Sequence, residues 1–262
     1  MRIAMIQMEV AAGDKERNIT HAFAMLKEAA ARADLLVLPE MWTVGYDFRQ
    51  LDAQASTPGD DLLTALAAWA KTHGKYLLAG SLPVRENGAL YNCSYLYGPQ
   101  GEIASYDKLH LFSLLSEPRR FAAGTHMTLA QAGEVTLGCS ICYDVRFPEL
   151  YRRMTMDGAT LAVIPAEWPT SRLDAWTYLV RARAMENQIY VCAVNAVGRY
   201  RDNIFAGHSC LVAPGGEYIT QASTEETIIY GTYDPEALAE TRRHMSVWED
   251  RRPDIYAADI AR

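Results

Sequence analysis

The chain has 262 residues, 50% apolar and 22% charged, and its 25 basic and 32 acidic side chains leave a formal net charge of −7. That composition excludes wholesale disorder, and with no long basic stripe a nucleic-acid partner is not expected. Met1 to Glu9 is apolar only until Gln7 and Glu9 interrupt it, too short and too polar for a signal or membrane segment, so a cytoplasmic protein without a membrane partner is expected.

No linker, repeat or low-complexity tract divides residues 1–262, which read as one domain. Arg2 to Met8 reads as a strand, and Asp14 to Arg32 as a helix with Ile19, Phe23 and Leu26 on one face. Leu35 to Leu38 is the next strand. Pro39 cannot donate to a sheet ladder, so it ends that strand and delivers Glu40 to its C-terminal end. A helix over Asp60 to Thr72 leads into a strand from Tyr76 to Gly80. Leu90 to Tyr97 and Glu102 to Tyr106 form a hairpin around Gly98-Pro-Gln-Gly101, and its exit carries Asp107-Lys108-Leu109-His110.

The run Val135-Thr-Leu-Gly-Cys-Ser-Ile-Cys142 then breaks into the polar turn Tyr143-Asp144-Val145-Arg146-Phe147-Pro148. Next come helices near Glu149 to Met156 and Asp174 to Asn187, alternating with strands Leu161 to Ile164 and Ile189 to Val194. Strands around Cys210 to Ala213, Tyr218 to Ala222 and Thr227 to Tyr233 precede a helix from Pro235 to His244. Alternating strands and helices mixed with hairpins indicate an α/β fold with sheet buried beneath helices, and ligands in such sheets gather at the C-terminal strand ends.

Glu40, Lys108 and Cys142 all lie at such ends. A thiol attacking an amide needs a base, donors for the oxyanion and an acid for the departing nitrogen. Glu40 can take the Cys142 proton, return it to the leaving ammonia and later activate water. Lys108 can face the oxyanion together with the N–H of Tyr143. Taken singly, each has a plainer reading: Glu40 as an exposed loop acid, Lys108 as a solvated charge, His110 beside it as a structural histidine, Cys142 as a small buried apolar group. Three reactive side-chain types at three strand ends favour the catalytic reading.

The segments Leu36-Val-Leu-Pro-Glu40-Met, Tyr106-Asp-Lys108-Leu-His-Leu-Phe112 and Cys142-Tyr-Asp-Val-Arg-Phe-Pro-Glu149 resemble the nitrilase superfamily of carbon–nitrogen hydrolases, and the likeness extends over nearly the whole chain. It implies Glu40, Lys108 and Cys142 as a catalytic triad. It also implies Glu117, in Ser116-Glu-Pro-Arg-Arg-Phe-Ala-Ala-Gly124, as a second glutamate that positions the lysine or the substrate. Ala166 to Arg172, Arg181 to Gln188 and Gly207-His208-Ser209 are similar as well, which implies pocket wall and support, with Asp144, Arg146 and Glu186 as ion-pairing scaffold. The implied fold is a four-layer α-β-β-α sandwich that pairs into an αββα-αββα homodimer or a larger homo-oligomer. Residues 244–262 are then a C-terminal arm whose aromatic anchors pack on the partner.

The segment Cys142-Tyr-Asp-x-Arg-Phe-Pro and the short length resemble the omega-amidase branch, which deamidates small dicarboxylic monoamides such as 2-oxoglutaramate. True nitrilases follow the cysteine with Trp-Glu and carry longer C-terminal extensions. The likeness implies hydrolysis of a small linear amide to the acid and ammonia through a cysteine thioester, with no cofactor and no metal. N-carbamoyl amino acid hydrolase, deaminated-glutathione amidase and nitrilase are the alternatives. A carboxylate on the substrate calls for a cation or several hydroxyl donors besides Lys108. Arg172, in the loop after Trp168, is the candidate, with Trp168 in the pocket wall.

Other chemistries fit less well. The five cysteines, Cys93, Cys139, Cys142, Cys192 and Cys210, form an odd scattered set, for which reduced thiols are expected. Cys139-Ser-Ile-Cys142 has a redox-like C-x-x-C spacing, but such pairs open a helix, and here Cys139 lies inside the strand, so the two thiols should point along different directions. A zinc site lacks a second ligand pair. A catalytically silent binding module of the same fold is the alternative from a different class.

Overall fold

A strand whose successive residues are all apolar is stable only where both of its faces are covered. In the computed structural model, which describes residues 1–256, the first half of the chain runs β1 (Arg2–Gln7), α1 (Lys15–Ala30), β2 (Leu35–Val37), α2 (Leu51–Gln54), α3 (Asp61–His73), β3 (Tyr76–Leu78), β4 (Leu82–Glu86), β5 (Ala89–Gly98) and β6 (Gly101–Asp107). The second half runs β7 (Leu129–Ala132), β8 (Val135–Cys139), α4 (Pro148–Met156), β9 (Leu161–Ala166), α5 (Leu173–Asn187), β10 (Tyr190–Asn195), β11 (Val197–Tyr200), β12 (Asn203–Ala206), β13 (Cys210–Val212), β14 (Tyr218–Gln221), β15 (Thr227–Thr232), α6 (Pro235–His244) and α7 (Pro253–Tyr256).

The strands form a seven-stranded sheet in the order β15-β1-β2-β3-β5-β4, with β6 paired to β5, and a six-stranded sheet in the order β14-β13-β10-β9-β8-β7. At the centre of each, β1, β2 and β3, and likewise β8, β9 and β10, run parallel. The period of two then separates the layers. Ile3, Met5, Leu35, Val37 and Leu78 share one core with the second sheet, whereas Ala4, Ile6, Leu36 and Leu77 pack with Leu26 of α1 and Leu66 and Trp69 of α3. Leu150, Tyr151 and Met154 of α4 and Trp176, Val180 and Ala184 of α5 cover the second sheet. The result is the expected α-β-β-α sandwich, with the parallel strands of each sheet ending beside the other's.

The helices begin on short acids. Asp14 accepts from the Arg17 N–H at 3.2 Å and Asp60 from the Leu63 N–H at 2.9 Å, each cap worth about 1 kcal/mol. α3 ends on Gly74, left-handed at φ +63°.

Two features depart from the sequence reading. β4 carries Pro83, which lowers strand propensity but is tolerated because β4 ends the sheet order and, among the described strands, pairs only with β5. β7 and the β11–β12 hairpin are short, partly polar segments whose pairing comes from tertiary neighbours. The start of the arm lies on its own chain: Gln188 Nε2 donates to the Met245 carbonyl at 3.0 Å, and the Arg152 guanidinium sits 5.0 Å from the Trp248 ring centroid. The end of the arm, 257–262, is outside the described residues.

Candidate active site

Four strand ends meet where the sheets adjoin. β2 stops at Val37, and three residues on the Glu40 N–H donates to the Ala166 carbonyl at the end of β9 across 3.4 Å. Gly80 makes room for this turn: it sits at φ +58°, and a Cβ there would lie 2.0 Å from the Pro39 carbonyl oxygen. Lys108 directly follows β6. Its N–H donates to the Asn92 carbonyl at 3.0 Å, and its carbonyl accepts from the Gly124 N–H at 2.9 Å, where any side chain on Gly124 would meet the Asp107 carbonyl oxygen at 2.3 Å.

Cys142 stands three residues past β8 and opens a 3-10 turn, Cys142–Arg146, with its own backbone at φ +46°. A non-glycine residue in that region is held there by its surroundings. Buried Asp144 does the holding: it accepts from the Ile141 N–H at 2.8 Å, the His110 N–H at 3.0 Å and the Tyr106 hydroxyl at 2.7 Å, and its Oδ1 is 2.7 Å from His110 Nδ1. Asp144 and His110 therefore serve the turn, as the sequence reading has it. Glu186 likewise pairs with Arg183 at 2.6 Å.

Glu40, Lys108 and Glu117 are fully buried together. Lys108 Nζ donates to Glu40 Oε1 and to Glu117 Oε1, each at 2.8 Å. Glu40 Oε1 also accepts from Asn92 Nδ2 at 2.9 Å, and Oε2 accepts from the Glu167 N–H at 2.9 Å. The Tyr46 hydroxyl lies 3.0 Å from Glu40 Oε1 and 2.8 Å from Glu117 Oε1, and with one proton it donates to one of them at a time. Burial opposes the Lys108 charge, but Glu117 and Glu40 outweigh it and hold the ammonium above its ordinary range. Cys142 lies against this cluster. Burial and then the negative charge of Glu40 push its thiol well above the usual range, with Lys108 pulling the other way. Cys139, at the end of β8, is buried too, and burial alone pushes its thiol up to about 12, which suits packing.

A narrow pocket opens on Cys142, between Tyr46, Phe112, Tyr143, Glu167, Trp168 and Arg172. The ring of Tyr143 lines it, and the N–H of Tyr143 directly follows Cys142 in the chain. Trp168 is buried in the wall, and its Nε1 donates to the Arg172 carbonyl at 2.8 Å, which fixes that loop. Arg172 lies over Phe112 at 5.3 Å. Arg146 departs from the scaffold role: no ion pair holds it among the described residues, and it lines the same pocket with its guanidinium 5.1 Å from the Trp168 ring centroid. Tyr46, Asn92 and Glu167 were not singled out from sequence. Tyr46 and Asn92 carry no motif of their own, whereas Glu167 follows β9 as Glu40 follows β2, a strand-end signal that could have found it.

Among the described residues no group of three or more His, Cys, Asp or Glu side chains could hold a metal ion, and no helix is long and apolar enough to cross a membrane. The fold and this grouping define the class, a hydrolase built on the αββα sandwich of the nitrilase superfamily. The chain belongs to the carbon-nitrogen hydrolase family, whose model matches residues 2–243. It is 40% identical over 255 residues to the 2-oxoglutaramate amidase of Bacillus subtilis (strain 168), covering 97% of this chain and 98% of that one. It is 32% identical over 270 residues to omega-amidase NIT2 of Homo sapiens, covering 99% and 98%. The crystal structure of Saccharomyces cerevisiae Nit3, a member of branch 10 of the nitrilase superfamily, superimposes with a TM-score of 0.89 at 27% identity, covering 96% of each chain.

Proposed function

We propose that this protein is an omega-amidase that hydrolyses the terminal carboxamide of a small dicarboxylic monoamide, of the 2-oxoglutaramate type, to the dicarboxylate and ammonia. The observation that carries the reading is that one narrow pocket has Cys142 beside the buried Glu40–Lys108 pair and also has Arg146 and Arg172 on its wall. The first part suits an amide carbon and the two guanidinium groups suit a carboxylate, while the narrow opening suits a short linear substrate.

In the proposed reaction Glu40 takes the thiol proton as Cys142 Sγ bonds to the amide carbon. The Lys108 ammonium and the Tyr143 N–H receive the oxyanion. Collapse breaks the C–N bond, and the proton held by Glu40 passes to the nitrogen, which leaves as ammonia. Glu40 then takes a proton from water as the hydroxyl oxygen bonds to the thioester carbon. The C–S bond breaks, the acid departs, and the proton returns to the sulfur. A neutral resting thiol fits this scheme, because the proton must be on sulfur before Glu40 removes it. Glu117 and Tyr46 act as positioning residues for Lys108 and Glu40.

All five cysteines are free, which suits a cytoplasmic enzyme that needs a reduced thiol. A homodimer through α4 and α5 accounts for the exposure of Met156, Tyr178 and Met185, which are 51, 69 and 50% accessible. Sedimentation of a monomer at micromolar concentration would remove that part of the proposal.

The test of function is ammonia release from 2-oxoglutaramate, N-carbamoyl amino acids, deaminated glutathione and a simple nitrile, by wild type and Cys142→Ala. The expected result is fastest release from the monoamide, none from the variant, and a thioester mass adduct on Cys142. Preference for a carbamoyl compound, the glutathione derivative or the nitrile would reassign the substrate. Release from none would leave a binding module.

A further inference from the structure

Glu167 is 1% exposed, lines the pocket beside Cys142, and neither of its carboxyl oxygens has a hydrogen-bond partner among the described residues. A buried carboxyl group left without partners is costly, and such a group at a pocket wall is completed by what enters the pocket. Gly45 helps to make the space: its Cβ position is 3.4 Å from Glu167 Oε1.

The cluster also dictates the form of this carboxyl group. Glu40, Glu117 and Glu167 are three buried carboxyl groups around a single buried cation, Lys108, whose ammonium is already engaged by the first two. Burial first, then the negative charge of Glu40, push Glu167 well above the usual carboxyl range, against the pull of Lys108. A neutral carboxyl group faces the pocket with one carbonyl acceptor and one O–H donor.

Its place in the reaction follows from its backbone. The Glu167 N–H donates to Glu40 Oε2, so the side chain leaves the main chain beside the group that hands a proton to the departing nitrogen. Glu167 therefore bounds the leaving-group side of the scissile carbon. We infer that Glu167 accepts a hydrogen bond from the N–H of the substrate carboxamide, and is the residue that selects an amide nitrogen over an ester oxygen. The inference rests on the amidase reading above and deepens it.

The test uses the Cys142→Ala protein, which binds without turnover, and two ligands, a small dicarboxylic monoamide and the monomethyl ester of the same acid. Calorimetry gives Kd for each with Glu167 intact, with Glu167→Met and with Glu167→Gln. Met removes the acceptor at similar length, so the amide is expected to weaken by roughly tenfold to a hundredfold, with the ester changing by less than about threefold. Gln keeps a neutral acceptor, and amide affinity is expected to stay within about threefold. Equal changes for amide and ester in the Met variant, or no change in either, would overturn the assignment. So would loss of amide binding in the Gln variant, which decides the matter if the Met variant fails to fold. Wild-type protein that releases no ammonia from any monoamide overturns the amidase reading itself. Active wild type with a uniform Met effect overturns the Glu167 assignment alone.

Discussion

The main-chain N–H of Glu167 meets Glu40 Oε2 at 2.9 Å, so the residue that follows β9 in one sheet grips the carboxylate that follows β2 in the other. Glu40 is thereby fixed by both sheets. Any slip of one sheet against the other moves the carboxylate relative to Cys142.

Glu40→Gln keeps the size of the side chain and an acceptor for Lys108, and loses the ability to take a proton. The expected outcome is a kcat lower by about 10² to 10⁴, with near-ultraviolet circular dichroism unchanged. Single-turnover mass spectrometry locates the loss: thioester on Cys142 should form more slowly than in wild type. Thioester formation at the wild-type rate would assign the base elsewhere.

Arg146→Ala and Arg172→Ala each remove one guanidinium from the pocket wall. A hydrogen bond to a charged group is worth about 1.5–3 kcal/mol, so KM for a carboxylate-bearing monoamide should rise about tenfold or more, and KM for a neutral amide of the same length much less. Equal rises for both amides would place the arginines in the scaffold.

Asp144→Ala strips a buried acceptor from the Ile141 and His110 N–H groups and the Tyr106 hydroxyl. Leaving buried donors unpaired should cost about 3 kcal/mol or more in urea unfolding. Because these bonds hold Cys142 at φ +46°, kcat should fall as well. Full stability in the variant would show that the turn holds its own shape.

Glu167→Gln is expected to change the pH dependence of stability. A carboxyl group raised in the folded state holds its proton there at pH values where the unfolded chain, titrating near 4.3, has lost it. Its favourable contribution is complete below the unfolded pKa and is lost as pH rises toward the folded one, at up to about 1.4 kcal/mol per pH unit. The Gln variant lacks this loss, so its stability relative to wild type should grow as pH is raised from about 4 upward. Urea melts across pH 4 to 8 measure the slope, and parallel curves would mean that Glu167 is ionised in the folded protein.

Gly80→Ala places a methyl carbon 2.0 Å from the Pro39 carbonyl oxygen at a backbone angle of φ +58°. The turn must open, and about 2 kcal/mol or more of stability should be lost. Activity should fall with it, since Glu40 is the next residue. Thermal unfolding and ammonia release on the same preparation check both, and a fully active Gly80→Ala would show that the Glu40 position does not depend on this turn.

Sequence by itself determined the α/β class and the strand ends, and the family resemblance implied the order of the layers. Apolar runs interrupted by Pro39, by Asp107-Lys108 and by the polar turn after Cys142 are local signals, and local sterics and hydrogen bonding act on them wherever the chain lies. Residues 82–86, 129–132 and the hairpin over 197–206 escaped that reading because their pairing is set by neighbours distant in the chain. Within the site, the types and order of Glu40, Lys108, Glu117 and Cys142 were legible, and so was the packing role of Cys139.

Tertiary structure alone decided which carboxyl group has a cation and which has none. Arg146 reads as scaffold in the chain and stands on the pocket wall in space, while Glu167 reads as wall and emerges as an unpartnered acid against Glu40. The physical reason is that charge pairing and desolvation depend on distances across two sheets. A few ångströms separate a shared lysine from an orphaned carboxyl, and strand periodicity carries no information about that gap.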